Sequence, residues 1–221
     1  MCPNNLNGNK EYTGLWCNLF LVVMILTTIW WFFAELYTAS YWVEPQYRFY
    51  ANAISDLGVA DRYVNEFTIA PDREVFSPLH HFFNIMMISQ GVMYAVFVGL
   101  FCCRKQGLIL PVLIGIGLVL VGSVHGSIAN IESGFHYFHL IGSLFPMIGG
   151  PLNNYIISRK INFTTGKVIG IVGTICGILV PVTYQIGFSA IPQRIAVYSI
   201  FLGLIMIAIR SKQNGVLPFS K

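Results

Sequence analysis

The five histidines are the side chains of this sequence with the widest chemical range: His80, His81, His125, His136 and His139. Imidazole is the commonest protein ligand of zinc, and a catalytic zinc site usually has three protein ligands and a water. Imidazole is also a general base, and its reference pKa of about 6.5 makes it a proton sensor. His136 and His139 are three residues apart, so on a helix they face the same way. A structural role at a helix end is the alternative for each histidine.

A serine and an aspartate stand together at Ser55 and Asp56, two residues before Gly58. In a catalytic site Asp56 would act as the base or orienting group, and Ser55 would donate to the substrate. The alternative is a local turn, because Ser and Asp side chains bond nearby backbone amides and glycine accepts a positive φ. Asp56 is also predicted to form an ion pair with Arg194, the charge at the start of the last predicted helix.

The composition defines the surroundings of these groups. The chain has 221 residues, of which 55% are hydrophobic and 10% are charged. In a soluble domain about 25% of the residues are charged, and polar groups cover much of the surface. The composition therefore excludes a soluble globule, a disordered chain and a nucleic-acid-binding protein, and it predicts an integral membrane protein.

Long uncharged stretches predict six membrane-spanning helices, since about 20 apolar residues cross the hydrocarbon core and helices satisfy their own backbone. The predicted spans are residues 14–38, 79–102, 107–126, 136–158, 168–187 and 192–210. Residues 39–78 form the one long loop, which is rich in aromatic and charged residues and is expected to fold as a cap. The predicted fold class is all-α, a bundle of about six transmembrane helices in a single membrane domain over residues 1–221.

Lysine and arginine predict the orientation, because they favour the cytoplasmic side of a membrane. Nine of the thirteen lie on the side of both termini, and four lie on the side of the long loop. We therefore expect a multi-pass protein of the cell membrane with both termini in the cytoplasm. All five histidines then lie at the outer boundary. No charge is expected at mid-depth, which argues against ion-coupled transport.

The most distinctive string runs from Asn52 to Gly58 and reads Asn-Ala-Ile-Ser-Asp-Leu-Gly. Together with His125 and His136, it resembles the bacterial and archaeal membrane family called domain of unknown function nine-nine-eight, over roughly residues 40–160. A comparable Ser-Asp element occurs in the six-spanning DRAM family of autophagy modulators. Both resemblances imply a multi-span helical membrane protein, and neither supplies an established reaction.

A further likeness is to the membrane hydrolase superfamily of alkaline ceramidases and progestin-adiponectin receptors, in which a Ser, an Asp and three His hold zinc at one membrane face. The similar set in this sequence is Ser55, Asp56, His80 or His81, His125, His136 and His139. The likeness implies a hydrolase in which the last three histidines hold the zinc. The chain departs from that pattern in having six predicted spans instead of seven and no histidine pair in its last helix.

These patterns together predict an outer-face site between the second, third and fourth spans that binds a membrane lipid or another amphipathic small molecule. In one version the site is a metal-dependent hydrolase with zinc as the metal. In the other the protein is non-enzymatic and serves in lipid binding, sensing or assembly. Its histidines are then structural or pH-responsive.

Overall fold

A computed structural model of the chain describes residues 10–44, 46–64, 74–99, 108–185 and 190–215. The helices of this part are α1 (Lys10–Ser40), α2 (His80–Met93), α3 (Ile109–Ser123), α4 (Ile128–Glu132), α5 (His136–Leu144), α6 (Gly150–Lys160), α7 (Thr164–Gln185) and α8 (Ala190–Asn214). A 3-10 turn covers Ile54–Gly58, and π-helical turns follow α2 at Tyr94–Val98 and join α5 to α6 at Phe145–Gly149. Strands β1 (Tyr63–Val64) and β2 (Glu74–Val75) make one short antiparallel pair. The all-α class is confirmed.

Four of the helical segments are long and apolar enough to cross a membrane: Gly14–Ser40, His80–Val98, Thr164–Tyr184 and Ala190–Asn214. They coincide with the first, second, fifth and sixth predicted spans. Large apolar side chains lie exposed on them, including Leu26 at 58%, Ile85 at 63% and Val182 at 63%. Such surfaces suit lipid better than water, because exposed apolar patches of this extent are rare on soluble monomers.

The third and fourth predicted spans differ more from the observed helices. α3 is apolar but has only 15 residues and ends at Ser123, three residues before the predicted end. The fourth span, predicted at 136–158, is a helical run over residues 136–160 that the π-helical turn interrupts. The ends of the second and fifth spans at 100–102 and 186–187 lie outside the described residues, as do residues 45 and 65–73 of the long loop.

The helices pack so that α1 lies beside α2 and α8, α2 beside α3, α3 beside α5, and α6 beside both α7 and α8. Trp31, Phe83 and Ile207 are fully buried in the resulting core. Pro151 carries no N–H, so the Met147 carbonyl lacks its usual α-helical donor. Gly177 of α7 packs so closely on that carbonyl that a Cβ at this position would overlap the oxygen.

One end of the bundle gathers the last turns of α1 and α3 and the first turns of α2, α5 and α8. Glu35 of α1 meets Arg194 of α8 there, and His139 of α5 meets the carbonyl of Val124 after α3. We call it the histidine end. It is the place where every residue of the predicted site is found.

Candidate functional site

Three of the five histidines come together at the histidine end. His80 and His81 form the first turn of α2, and their ring centroids are 3.9 Å apart. His125 follows the end of α3, and its ring centroid lies 6.5 Å from that of His80. The Nδ1 atom of His80 is 3.1 Å from the carbonyl oxygen of Ser77, which fixes the orientation of that ring. The second and third spans are therefore close together, as expected, where α2 begins and α3 ends.

Asp61 of the long loop supplies the carboxylate of this group. Its Oδ2 accepts a hydrogen bond of 2.7 Å from the backbone N–H of Ile128, in the first turn of α4. The pKa of His125 is lowered, mainly because the ring is partly buried and also because His80 and His81 are nearby. The Asp61 carboxylate acts in the opposite direction and raises this pKa. We call His80, His81, His125 and Asp61 the histidine cluster. Within the cluster, a positive charge on either imidazole of α2 would make His125 harder to protonate.

The other two histidines make separate contacts. The Nδ1 atom of His139 lies 2.8 Å from the carbonyl oxygen of Val124, so this ring ties α5 to the end of α3. The ring centroid of His136 lies 4.1 Å from that of Tyr137. The Nδ1 atom of His136 is buried and has no hydrogen-bond partner among the described residues. His139 therefore fits the structural alternative, because a backbone carbonyl already occupies one of its ring nitrogens.

The geometry gives the zinc hypothesis no support. Within the described residues, no group of three or more His, Cys, Asp or Glu side chains is placed to hold a metal ion. Three residues of separation do put His136 and His139 on neighbouring turns, as expected. Each ring, however, has its own neighbour, which is the phenol ring of Tyr137 for His136 and the backbone carbonyl of Val124 for His139.

Ser55 and Asp56 lie in the 3-10 turn at Ile54–Gly58. Asp56 is buried at 6% exposure, and its Oδ2 accepts a hydrogen bond of 2.8 Å from the backbone N–H of Ala53. Ser55 is partly exposed. The local-turn alternative thus describes what Asp56 does, since its carboxylate caps the turn in which it lies. A catalytic role for either residue stays a prediction.

A buried charge pair at the same end was missed by the sequence analysis. The Nε atom of Arg194 lies 3.4 Å from Oε1 of Glu35, and the two side chains are 9% and 1% exposed. Tyr198 donates a hydrogen bond of 2.8 Å to Oε1 of Glu35, and the indole N–H of Trp31 donates one of 3.2 Å to Oε2. The carboxylate therefore has a charged partner and two neutral donors. The expected pairing of Arg194 with Asp56 stays a prediction.

The rest of the Arg194 guanidinium faces the long loop. Its Nη1 donates a hydrogen bond of 2.8 Å to the carbonyl of Asn52, and its Nη2 donates one to the hydroxyl of Tyr47. Its central carbon lies 5.7 Å from the centroid of the Tyr47 ring and 5.2 Å from that of Phe49. These distances allow cation–π attraction on both rings. The guanidinium therefore joins α1, α8 and the long loop.

A sequence signal for this pair was present. Glu35 lies inside the first predicted span and Arg194 inside the sixth, and each is near the outer end of its span. An isolated acid and an isolated base at the same membrane depth are expected to find one another, because an unpaired charge in lipid is costly. The predicted partner of Arg194 was instead Asp56 of the long loop.

The chain matches no protein-family model, no curated protein and no solved structure. The resemblances to the nine-nine-eight family, to the DRAM family and to the membrane hydrolases therefore stay predictions. The function has to be inferred from the geometry of the histidine end.

Proposed function

We propose that this chain is a multi-pass integral membrane protein that responds to the proton concentration at its outer face through the histidine cluster. Four apolar helices of membrane-spanning length support membrane insertion. The remaining two spans of the proposal are α3 and the run of α5 and α6. The protein lies in the cell membrane with both termini on the cytoplasmic side. In this orientation the histidine end faces outward and the long loop forms the outer cap.

The observation that carries the proposal is the convergence of three imidazoles beside one carboxylate. Protonating both His80 and His125 places two positive charges about 6.5 Å apart. After allowance for solvent around these partly exposed rings, their repulsion is on the order of 1–2 kcal/mol. Asp61 can neutralise only one of these charges. Acidification below about pH 6.5 therefore strains the contacts of the cluster with α2, α3 and α4.

Imidazole titration is the direct test of this proposal. With histidines labelled by ¹³C at Cε1, each of the five resonances is followed from pH 4 to 8 in a detergent micelle. We expect His80→Ala to raise the pKa of His125, because the variant removes a neighbouring positive charge. His136→Ala is the matched control, since His136 is at the same end of the bundle but outside the cluster.

The response itself is read by amide hydrogen exchange of residues 124–131, the segment that links His125 to α4. We expect faster exchange at pH 5.5 than the intrinsic pH effect accounts for, and a smaller change in His80→Ala. Exchange that follows only the intrinsic effect would overturn the proposal. A pKa of His125 that His80→Ala leaves unchanged, or that His136→Ala shifts as much, would overturn it as well.

A lipid or another amphipathic small molecule is the ligand class that suits this face. The start of α5 exposes three aromatic side chains, Phe135 at 55%, Tyr137 at 62% and Phe138 at 51%. They lie beside His136, whose buried Nδ1 lacks a hydrogen-bond partner among the described residues. A diazirine-bearing fatty acid should label residues 135–139 preferentially after photolysis. Equal labelling along all exposed helix faces would contradict this assignment.

A further inference from the structure

Residues 47–53 of the long loop form a compact unit that we call the strap. The backbone N–H of Arg48 donates a hydrogen bond of 2.9 Å to Oδ1 of Asn52, and the N–H of Asn52 donates one of 2.7 Å to the carbonyl of Arg48. The Tyr47 hydroxyl donates one of 3.1 Å to the carbonyl of Ala53. These bonds close the strap on itself, so it can move as one piece.

The charged anchor of the strap on the helices is the Arg194 guanidinium. Tyr47 and Asn52 both accept hydrogen bonds from it, and the ring of Phe49 lies against it. The outer part of the strap gains little from burial, because Phe49 is 41% exposed and Tyr50 is 60% exposed.

The next turn is held differently from the strap. The backbone N–H of Ile54 donates a hydrogen bond of 2.8 Å to Oε1 of Gln193, and Ile54 and Leu57 are 2% and 0% exposed. Asn84 of α2 donates one of 2.9 Å to the carbonyl of Gly58. Apolar burial and two separate helices therefore fix the turn at 54–58 without the help of Arg194.

The two sides of the guanidinium are chemically unlike. On the helix side it meets the Glu35 carboxylate, which fixes its position, and on the strap side it meets neutral acceptors, a carbonyl and a phenol. Removing both charges together thus leaves neither Glu35 nor Arg194 as an unpaired charge, while it takes away both donors to the strap.

We propose that Arg194 is a latch that holds the strap closed over the Glu35–Arg194 pair, and that the strap opens separately from the turn at 54–58. An open strap admits water to the buried carboxylate from the histidine end. This device is independent of the proposed proton response, because it uses no residue of the histidine cluster.

Trypsin cleavage after Arg48 measures the opening, since Arg48 is exposed but lies in a hydrogen-bonded strap. Cleavage after the exposed Arg159 at the other end of the bundle is the internal reference. In the double variant E35Q/R194M we expect the normalised rate at Arg48 to rise at least about tenfold, because two hydrogen bonds from a charged donor are lost. Gln193→Ala is the matched control and should leave this rate unchanged.

A double variant that is cleaved at the rate of the unaltered protein would overturn the latch. A rise as large in Gln193→Ala would also overturn it, because it would show general loosening of the loop. Should the double variant lose its helical circular dichroism, Tyr47→Phe decides the question. It keeps the ring and removes only the hydroxyl, and we expect faster cleavage at Arg48; an unchanged rate would refute the proposal.

Discussion

The buried pair of Glu35 and Arg194 predicts strong thermodynamic coupling between two residues that are far apart in the sequence. In Arg194→Met, the Glu35 carboxylate keeps the donors Trp31 and Tyr198 but loses its only charged partner in the described structure. Leaving a buried charge uncompensated typically costs about 3–5 kcal/mol, so we expect a loss of that size in the free energy of unfolding.

The two other variants complete the cycle. In Glu35→Gln the guanidinium keeps the carbonyl of Asn52 and the Tyr47 hydroxyl, so the expected loss is smaller, about 1–3 kcal/mol. In E35Q/R194M neither member of the pair is left as a charge without its partner, and the loss should fall below the sum of the single losses by about 2–3 kcal/mol.

The measurement is equilibrium unfolding of the purified protein in a mild detergent, driven by sodium dodecyl sulfate and followed by circular dichroism and tryptophan fluorescence. Trp31 reports locally, because its indole N–H is bonded to Glu35. If the single losses add to within about 0.5 kcal/mol, the two side chains do not interact energetically and the geometric reasoning is refuted.

Three further predictions concern other parts of the chain. Because burial lowers the pKa of His125, the folded state binds this proton less readily than the unfolded state, so stability should fall as the pH drops through about 6.5. A plot of the melting temperature against pH should show this fall, and His125→Asn should make it smaller. Gly177→Ala places a Cβ against the Met147 carbonyl and should destabilise by about 1–3 kcal/mol in the same unfolding assay, whereas Gly14→Ala, with open space around it, should not. Asn162 is exposed in the turn between α6 and α7, so in Asn162→Cys a membrane-impermeant maleimide should react only after permeabilisation; labelling of intact cells would reverse the proposed orientation.

The helical class and the position of the long apolar helices could be predicted from the sequence, because length and uninterrupted apolar character decide both. The clustering of His80 and His125 could also be anticipated, since the short predicted connection between the second and third spans makes them antiparallel neighbours. The start of the second span then lies beside the end of the third. The contact that His139 makes could not be predicted from the sequence. Its ring direction depends on the path of the chain after α3, where the Val124 carbonyl is left without a helical partner and accepts the contact.

The charge pair was missed for a different reason. Residues 35 and 194 are distant in sequence, and only the packing of α1 against α8 brings them together. The predicted positions of both residues near one membrane boundary make the pair possible, but Asp56 of the loop was a candidate partner of Arg194 at that boundary as well. The helix–helix arrangement is a property of the tertiary packing, in which small residues such as Gly177 decide which helices can approach closely.

The strap and the histidine cluster lie at the same end, yet they should be energetically independent. The turn at 54–58 separates them along the chain. Its Ile54 and Leu57 are 2% and 0% exposed, so we expect the turn to stay in place when either neighbour moves. Opening of the strap therefore should not be transmitted to Asp61, and protonation of His125 should not be transmitted to Arg48. We expect His125→Asn to leave the trypsin cleavage rate at Arg48 unchanged and E35Q/R194M to leave the pKa of His125 unchanged. A shift in either quantity would mean that the turn moves as a lever between two coupled sites, because coupling requires an element that both sites bias.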